Sequence, residues 1–189
     1  MTSKITDLTA ATAAAGDEIP ANRAGSDKKL LAQDIAALGP NSYAGIYIYD
    51  GAYAQTIATG STPAKLVAFA QAGGANGLSA NCTTDKANSK ITITRAGVYY
   101  LNYSVSFLSS VASVNWECYV FADGSIIPST GALSKMGTGA GTDTKCINGG
   151  GFFSILANKD VDFRAYHSHG SNCDITISHA NLCVRFVGT

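Results

Sequence analysis

The stretch that most limits what this chain can become is residues 85–107, which read DKANSKITITRAGVYYLNYSVSF. Ile91 and Ile93 alternate with Thr92 and Thr94, so a period of two puts the isoleucines on one side of a strand and the threonines on the other. Arg95-Ala96-Gly97 breaks the pattern, and Gly97 is free to take a positive φ that a branched residue resists. Residues 98–107 then resume as a long β-branched and aromatic segment. Tyr99, Leu101, Tyr103, Val105 and Phe107 share one face; Val98, Tyr100, Asn102, Ser104 and Ser106 share the other. Two half-buried strands around one corner require a sheet with a second layer to cover its apolar face.

The rest of the chain from residue 41 supplies that layer. Residues 44–51 form an aliphatic and aromatic strand that ends on the turn dipeptide Asp50-Gly51, and residues 54–59 are placed to return beside it. Residues 65–70 are an apolar run, and residues 71–81, with Gly73, Gly74 and Gly77, read as a loop. In residues 114–122 the face Val114, Trp116, Cys118, Val120 alternates with polar and aromatic residues before the tight turn Asp123-Gly124. Residues 129–144 are rich in Gly, Ser and Thr, a loop left exposed or covered by a partner, with Leu133 and Met136 as its only large apolar residues. Gly149, Gly150 and Gly151 leave room for a close neighbour in the strand that carries Phe153. A turn then leads into an alternating strand with Val161 and Phe163, and a polar connection at 167–172 leads to two final strands, 175–177 and 181–187. Eight to ten short strands spaced by turn signals predict an all-β sandwich or jelly roll. Tyr99, Leu101, Tyr103, Phe107, Trp116, Phe153, Phe163 and Phe186 are its candidate core and subunit-interface residues.

Residues 1–40 differ. A small-residue tract at 9–15 is too thin to bury much surface. Residues 17–23 and 28–31 can pair as a hairpin across 24–27, and residues 33–38, with Ile35 and Leu38 on one side, have the spacing of one or two helical turns before Gly39-Pro40. The expectation is a small extended arm at 1–40 and one main domain at 41–189, with a disordered tail or a trimerisation stub as other readings of the arm.

Composition excludes several functions. Charged residues are only 14% of the 189, and 13 Lys and Arg balance 13 Asp and Glu. Nucleic-acid binding through a basic face is therefore not expected. The low charge suits a surface covered by copies of the chain or by a larger assembly. No apolar leader follows Met1, so synthesis in the cytosol is expected, and no stretch approaches the roughly 20 apolar residues of a membrane helix. The five cysteines include no Cys-x-x-Cys pair; buried free thiols are the favoured reading, and a bridge between Cys173 and Cys183 stays open.

Catalytic signatures are missing: there is no Gly-x-Ser-x-Gly, no phosphate loop, and no glycine fingerprint followed by a helix. His167 and His169, with Asp162 or Asp174, could hold a metal or be surface loop histidines. Asp17-Glu18 and Asp160/Asp162 read as solvated turn carboxylates rather than catalytic or calcium-binding pairs. Trp116, Tyr99, Tyr103 and Phe153 read as core or interface aromatics rather than a sugar platform. Neither a cofactor nor a metal is expected.

Two segments resemble known families. The corner Ala96-Gly97-Val98-Tyr99 with its long alternating strand, and the run from Leu156 through Asp160 to Tyr166, resemble the TNF-like jelly roll, in the variant of the complement globular head and of many phage knobs. That family usually has Gly-Asp where this chain has Lys159-Asp160. The resemblance implies that the glycine makes the corner, that the tyrosine enters the core, that three subunits pack around a three-fold axis, and that the function is binding. Ile5-Thr6-Asp7-Leu8, Ala10-Ala11-Thr12, Asp17, Ile19-Pro20, Gly25, Lys28-Lys29 and Asp34-Ile35 resemble a leader common in bacteriophage tail-fibre, head-fibre and other virion proteins. It implies an anchoring role for Ile5, Asp7, Leu8, Ile19, Pro20, Lys28, Lys29 and Ile35.

Together these resemblances imply a non-enzymatic homotrimeric knob on the virion surface. It would be held by its arm on capsid or tail proteins, with no nucleic-acid or membrane partner, and serve as a capsid decoration or head fibre. The alternative is a short tail-fibre tip or receptor-binding protein that meets host glycan or protein through Lys135, Met136, Thr138, His167, His169 and Asn172. A depolymerase is the third reading.

Overall fold

A computed structural model describes the backbone of residues 18–23 and 26–31, and residues 42–60 and 62–188 with their side chains. The chain divides into two compact units, Met1–Pro40 and Asn41–Thr189. In the first, β1 (Glu18–Arg23) and β2 (Ser26–Leu31) pair antiparallel, from Glu18 opposite Leu31 to Arg23 opposite Ser26. Ser26 and Asp27, expected in the turn, are strand residues. Ile19, Pro20, Lys28 and Lys29 fall on this hairpin. Ile5, Asp7, Leu8 and the helical turns with Ile35 lie outside the described residues.

The second unit is a sandwich of two antiparallel sheets. Its strands are β3 (Tyr43–Ile48), β4 (Tyr53–Ile57), β5 (Ala64–Lys65), β6 (Gly74–Ala80), β7 (Cys82–Asp85), β8 (Lys90–Ile93), β9 (Gly97–Ser109), β10 (Asn115–Ala122), β11 (Ser125–Ile126), β12 (Ala132–Lys135), β13 (Thr144–Ile155), β14 (Lys159–His167) and β15 (Cys173–Gly188). One sheet runs β13-β9-β15-β3-β6, with β4 beside β15. The other runs β11-β10-β14-β8-β7, with β12 on β10 and β5 on β14. From β8 onward the chain crosses between sheets at β8 to β9, β9 to β10, β12 to β13, β13 to β14 and β14 to β15, which is the winding of a jelly roll. The fold is the expected all-β jelly-roll sandwich.

The expected corner holds it together. Gly97 has φ +152, and a Cβ there would lie 2.4 Å from the Phe186 ring and 2.7 Å from the Gly188 carbonyl. Only glycine lets β9 leave beside the end of β15. Tyr99 enters the core, its hydroxyl donating to the Arg95 carbonyl at 2.8 Å. Tyr99, Leu101, Tyr103, Val105 and Phe107 are all buried against Trp116, Cys118, Val120, Ile91, Ile93 and Phe163 of the facing sheet. Tyr103 stacks tilted on Phe163 at 4.3 Å, and Trp116 meets Phe107 edge-on at 5.3 Å. Phe186 is partly buried and Phe153, on the edge strand β13, is 38% exposed, so Phe153 is not a core residue.

Glycine misled the reading at 71–81. Those residues contain strand β6, paired with β3, not a loop. A Cβ on Gly74 would sit 2.0 Å from the Phe69 carbonyl oxygen and one on Gly77 2.9 Å from that of Gly45, so these glycines serve close strand packing. The triplet Gly149 to Gly151 has the close neighbour foreseen for it: Cβ atoms at Gly149 and Gly151 would fall 2.5 and 2.8 Å from the Thr130 and Ser129 carbonyls.

Four other readings are corrected. β4 pairs with β15 rather than returning along β3. The apolar run at 65–70 holds only the end of β5 and a 3-10 turn, Ala68–Ala70. Residues 129–144 contain strand β12, whose pairing with β10 turns Met136 into the core at 2% exposure. The two final strands are one, β15, which shifts register by bulges near Ser178 and Val187 and so keeps its apolar residues inward. It lies in the middle of its sheet.

Candidate functional site

The sandwich offers three surfaces. The first is the end where the connections at 110–114, 136–143 and 168–172 meet. Gly141 donates to the Ser109 carbonyl at 2.7 Å, Ser113 to Gly137 at 2.8 Å and Ser168 to Asn115 at 3.0 Å; the Thr59 amide donates to the Asn172 side chain at 3.0 Å. The main chain of unit two enters at the opposite end, where the Ser42 carbonyl accepts from the Phe186 amide at 2.7 Å. Lys135, Thr138 and Asn172 are exposed at the connected end and His169 is half-buried.

Met136 and His167 do not belong to that surface. His167 closes β14 at 3% exposure, edge-on to Trp116 at 5.0 Å. Its Nδ1 accepts from the His169 amide at 3.2 Å, which assigns the proton to Nε2 for donation to the Ile57 carbonyl at 3.0 Å. With both ring nitrogens engaged it has no lone pair for a metal, so the proposed His167–His169 pair does not form a site. Asp174 accepts from the Thr56 hydroxyl at 2.6 Å, and among the described residues no cluster of three metal-binding groups occurs.

The second surface is the outer face of the seven-stranded sheet, and it is laced with charges. Asp160 accepts from Lys90 at 2.7 Å and from Thr92 at 2.6 Å. Burial pushes the Asp160 carboxyl up, but the Lys90 and Thr92 bonds more than offset this and hold it below the usual carboxylate range. Asp162 is gripped by Arg164 at 2.6 and 3.0 Å, with Lys65 at 3.9 Å. The Arg164 guanidinium lies 4.3 Å over the Phe121 ring, and Lys159 pairs with Asp123. Asp160 and Asp162 are thus paired strand residues rather than free turn carboxylates.

The third surface is the outer face of the six-stranded sheet, and it is the opposite in character. Strand register sets its residues in rows across β13, β9, β15 and β3. Phe152, Tyr100, Arg185 and Tyr43 make one row; Gly150, Asn102, Cys183 and Gly45 the next; Asn148, Ser104, Asn181 and Tyr47 the third; Cys146, Ser106 and His179 begin the fourth. Arg185 is the sole formal charge in these rows. Tyr43, Tyr47, Tyr100 and Phe152 are all exposed, as is Leu78 of β6 at 84%. Because rows two and three hold glycine, asparagine, serine and cysteine apart from Tyr47, the face sinks between its larger aromatic residues. Tyr43, Gly45, Tyr47, Gly77, Leu78, Asn102, Asn181 and Cys183 line a groove of about 610 Å³ there.

The cysteines divide between core and this face. Cys82, Cys118 and Cys173 are buried, while Cys146 and Cys183 are exposed on the third surface. Burial raises the thiol pKa of Cys82, Cys118, Cys173 and Cys183. Cys173 and Cys183 lie on one strand ten residues apart, so at about 3.3 Å per residue they are far beyond disulfide reach. The exposed pair Cys146 and Cys183 was not singled out in the sequence, and neither was the uncharged face. Its signal was the alternate set Val98, Tyr100, Asn102, Ser104, Ser106, which carries no charge where a solvent-facing strand ordinarily would.

No protein-family model matches the sequence, and no characterised protein matches it in sequence. Among solved structures the chain is similar to murine APRIL, at 8% identity over 78% of this chain and 100% of that one, with a TM-score of 0.48. It is similar to the Eiger TNF of S. frugiperda, at 8% identity over 78% and 95%, with a TM-score of 0.45. The globular domain of zebrafish complement 1qA protein is similar at 11% identity over 77% and 97%, also with a TM-score of 0.45. By its own strand order and register, the described domain is an all-β jelly-roll sandwich with one outer face laced with charges and one whose central rows carry Arg185 as their single charge.

Proposed function

We propose that the chain is a non-enzymatic structural knob of a bacteriophage particle, built as a homotrimer and held to the virion by residues 1–40. The observation that carries the trimer is the uncharged aromatic face of the six-stranded sheet. Exposed Tyr43 and Tyr47 on a groove of small side chains, with exposed Tyr100 and Phe152 on the same face, make a surface that water solvates poorly and a second copy can cover. The charged face of the other sheet stays in solvent. The entry of the main chain at one end and the gathering of connections at the other suit a domain that is tethered at its base and displayed at its tip.

The virion role rests on the leader resemblance of residues 1–40. Three arms on one trimer would bind together, offsetting the ordering cost of each. In this reading the knob decorates the capsid. Contact with a host receptor through the exposed Lys135, Thr138 and Asn172 and the half-buried His169 is the second reading, favoured by their common location at the displayed end.

Two measurements test this. Light scattering on the full chain should give three times the 19.4 kDa subunit mass, and a monomer would overturn the trimer. Counting the protein in purified particles against the main shell protein tests the location. Abundance on the scale of the shell supports decoration, a few trimers per particle move it to the tail, and absence from particles overturns the virion role.

A further inference from the structure

We infer that the charged face carries a binding site for a neutral sugar ring, in the trough formed by Tyr119, Tyr166, Phe121, Ile126, Pro63 and Gly124. The trough encloses about 390 Å³, at the small end of the roughly 300–1,000 Å³ typical of ligand pockets. None of these residues stands among the sugar-stacking aromatics suggested by the sequence, three of which (Trp116, Tyr99 and Tyr103) are sealed in the core. The site is independent of the trimer reading.

The walls are aromatic and apolar, and the polar groups sit together at one side. The rings of Tyr119 and Tyr166 are parallel within 7°, with centroids 6.1 Å apart. The Tyr119 hydroxyl donates to Glu117 Oε2 at 2.7 Å, and Tyr166 lies opposite Glu117 in the β10–β14 register. The Glu117 carboxylate beside them raises both phenol pKa values above the ordinary one, so both stay protonated. An ionised carboxylate offers about four lone-pair directions, and the Tyr119 phenol takes one. Glu117 therefore keeps acceptor capacity for ligand hydroxyls, while the phenol oxygens can accept in turn.

Charge selects against an ion. None of the residues that line the trough is charged, and the Arg164 guanidinium already occupies a face of Phe121. An organic cation would have to compete with Arg164 for the aromatic face, and an anion would meet Glu117. A pyranose matches what is left: an apolar face of axial C–H bonds to lie on the electron-rich face of a tyrosine ring, and equatorial hydroxyls for the Glu117 side. The trough lies on the face opposite the uncharged one, so it stays open when that face is covered, and copies in an oligomer would bind a polysaccharide multivalently.

The test is saturation-transfer NMR on the full chain, with glucose, galactose, N-acetylglucosamine and rhamnose as probes and tetramethylammonium as the cationic control. At least one sugar should receive saturation, strongest on the C–H protons of one ring face. Tyr166→Ser should weaken it about tenfold, the scale of one lost aromatic contact. Ile126→Asp, at a 42% exposed position on the trough wall that does not reach the core, should weaken it similarly and keeps the test open if Tyr166→Ser fails to fold. No transfer to any sugar, transfer unchanged in the folded variants, or tetramethylammonium displacing the sugar would each overturn the inference.

Discussion

The two outer faces of this sandwich are made by the same kind of strand and solve opposite problems. On the seven-stranded sheet, Lys90, Asp160, Asp162, Arg164 and Lys65 form a chain of paired charges that is content in water. On the six-stranded sheet, the corresponding rows hold tyrosine, phenylalanine, asparagine, serine, glycine and cysteine, with Arg185 as the only charge. A core is common to both, so the difference is not about folding. On the proposed reading it marks which side of the domain meets water and which meets another copy.

The sharpest way to break the comparison is to move one charge. Asn102→Asp changes shape hardly at all but puts a carboxylate at the centre of the uncharged face, where covering it would leave it unpaired. Light scattering should show the assembly falling to single subunits, whereas Thr83→Glu, on the exposed outer face of β7, should leave the mass unchanged. Equal behaviour of the two variants would erase the distinction between the faces. Trp116→Ala strikes beneath both. It should cost about 3–5 kcal/mol in chemical denaturation, in line with other buried Trp deletions, and lower the melting temperature whatever the state of assembly.

Thiol labelling sharpens the contrast without a mutation. In separated subunits such as Asn102→Asp, iodoacetamide should label Cys146 first and then Cys183, whose thiol is held protonated by burial, and spare Cys82, Cys118 and Cys173 until unfolding. In the assembled protein both face cysteines should be slowed, as read by mass spectrometry. Labelling of both at the same rate in the two forms would mean that the face is open.

The smallest effect lies on the charged side. The folded-state pKa of Asp160 lies below its unfolded value, so its contribution to stability is present above the unfolded carboxylate range and is lost as pH falls through the lower folded pKa. That of Lys90 is raised by its bond to Asp160, so its contribution is present below the unfolded lysine range and lost as pH rises through the higher folded pKa. Asp160→Asn should therefore lower stability by no more than about 1 kcal/mol at neutral pH, and its melting temperature should converge with that of the parent in strong acid.

Much of the layout was legible in the residues. The alternation around Gly97 predicts β8 and β9 with their buried faces, and the Val114 to Val120 alternation predicts β10, because period two is read directly from sequence. What escaped depended on long-range partners. Gly74 and Gly77 look like loop glycines until a neighbouring carbonyl shows why no Cβ fits. His167 looks like a polar linker residue until Ile57, over a hundred positions earlier, supplies its acceptor. Ser178 looks like a break because a bulge preserves the inward set on either side of it. The trough of Tyr119 and Tyr166 was hidden for the same reason, since cross-strand register, not spacing, brings it together.

The central place of β15 fixes how this domain must come together in time. β3 and β4, among the first strands of the sandwich, both find their partner in β15, the last. Until that segment arrives, one sheet has a gap through its middle and the edges flanking it are unpaired. Closure over so long a loop is entropically costly and comes before its contacts repay it, which places the folding time of a single subunit toward the millisecond-to-second end of the scale. During that wait the open edges of β9 and β3 can capture a strand from another chain. Dilution during refolding should therefore raise the yield of correctly formed domains, even though the proposed trimer would depend on concentration in the opposite sense.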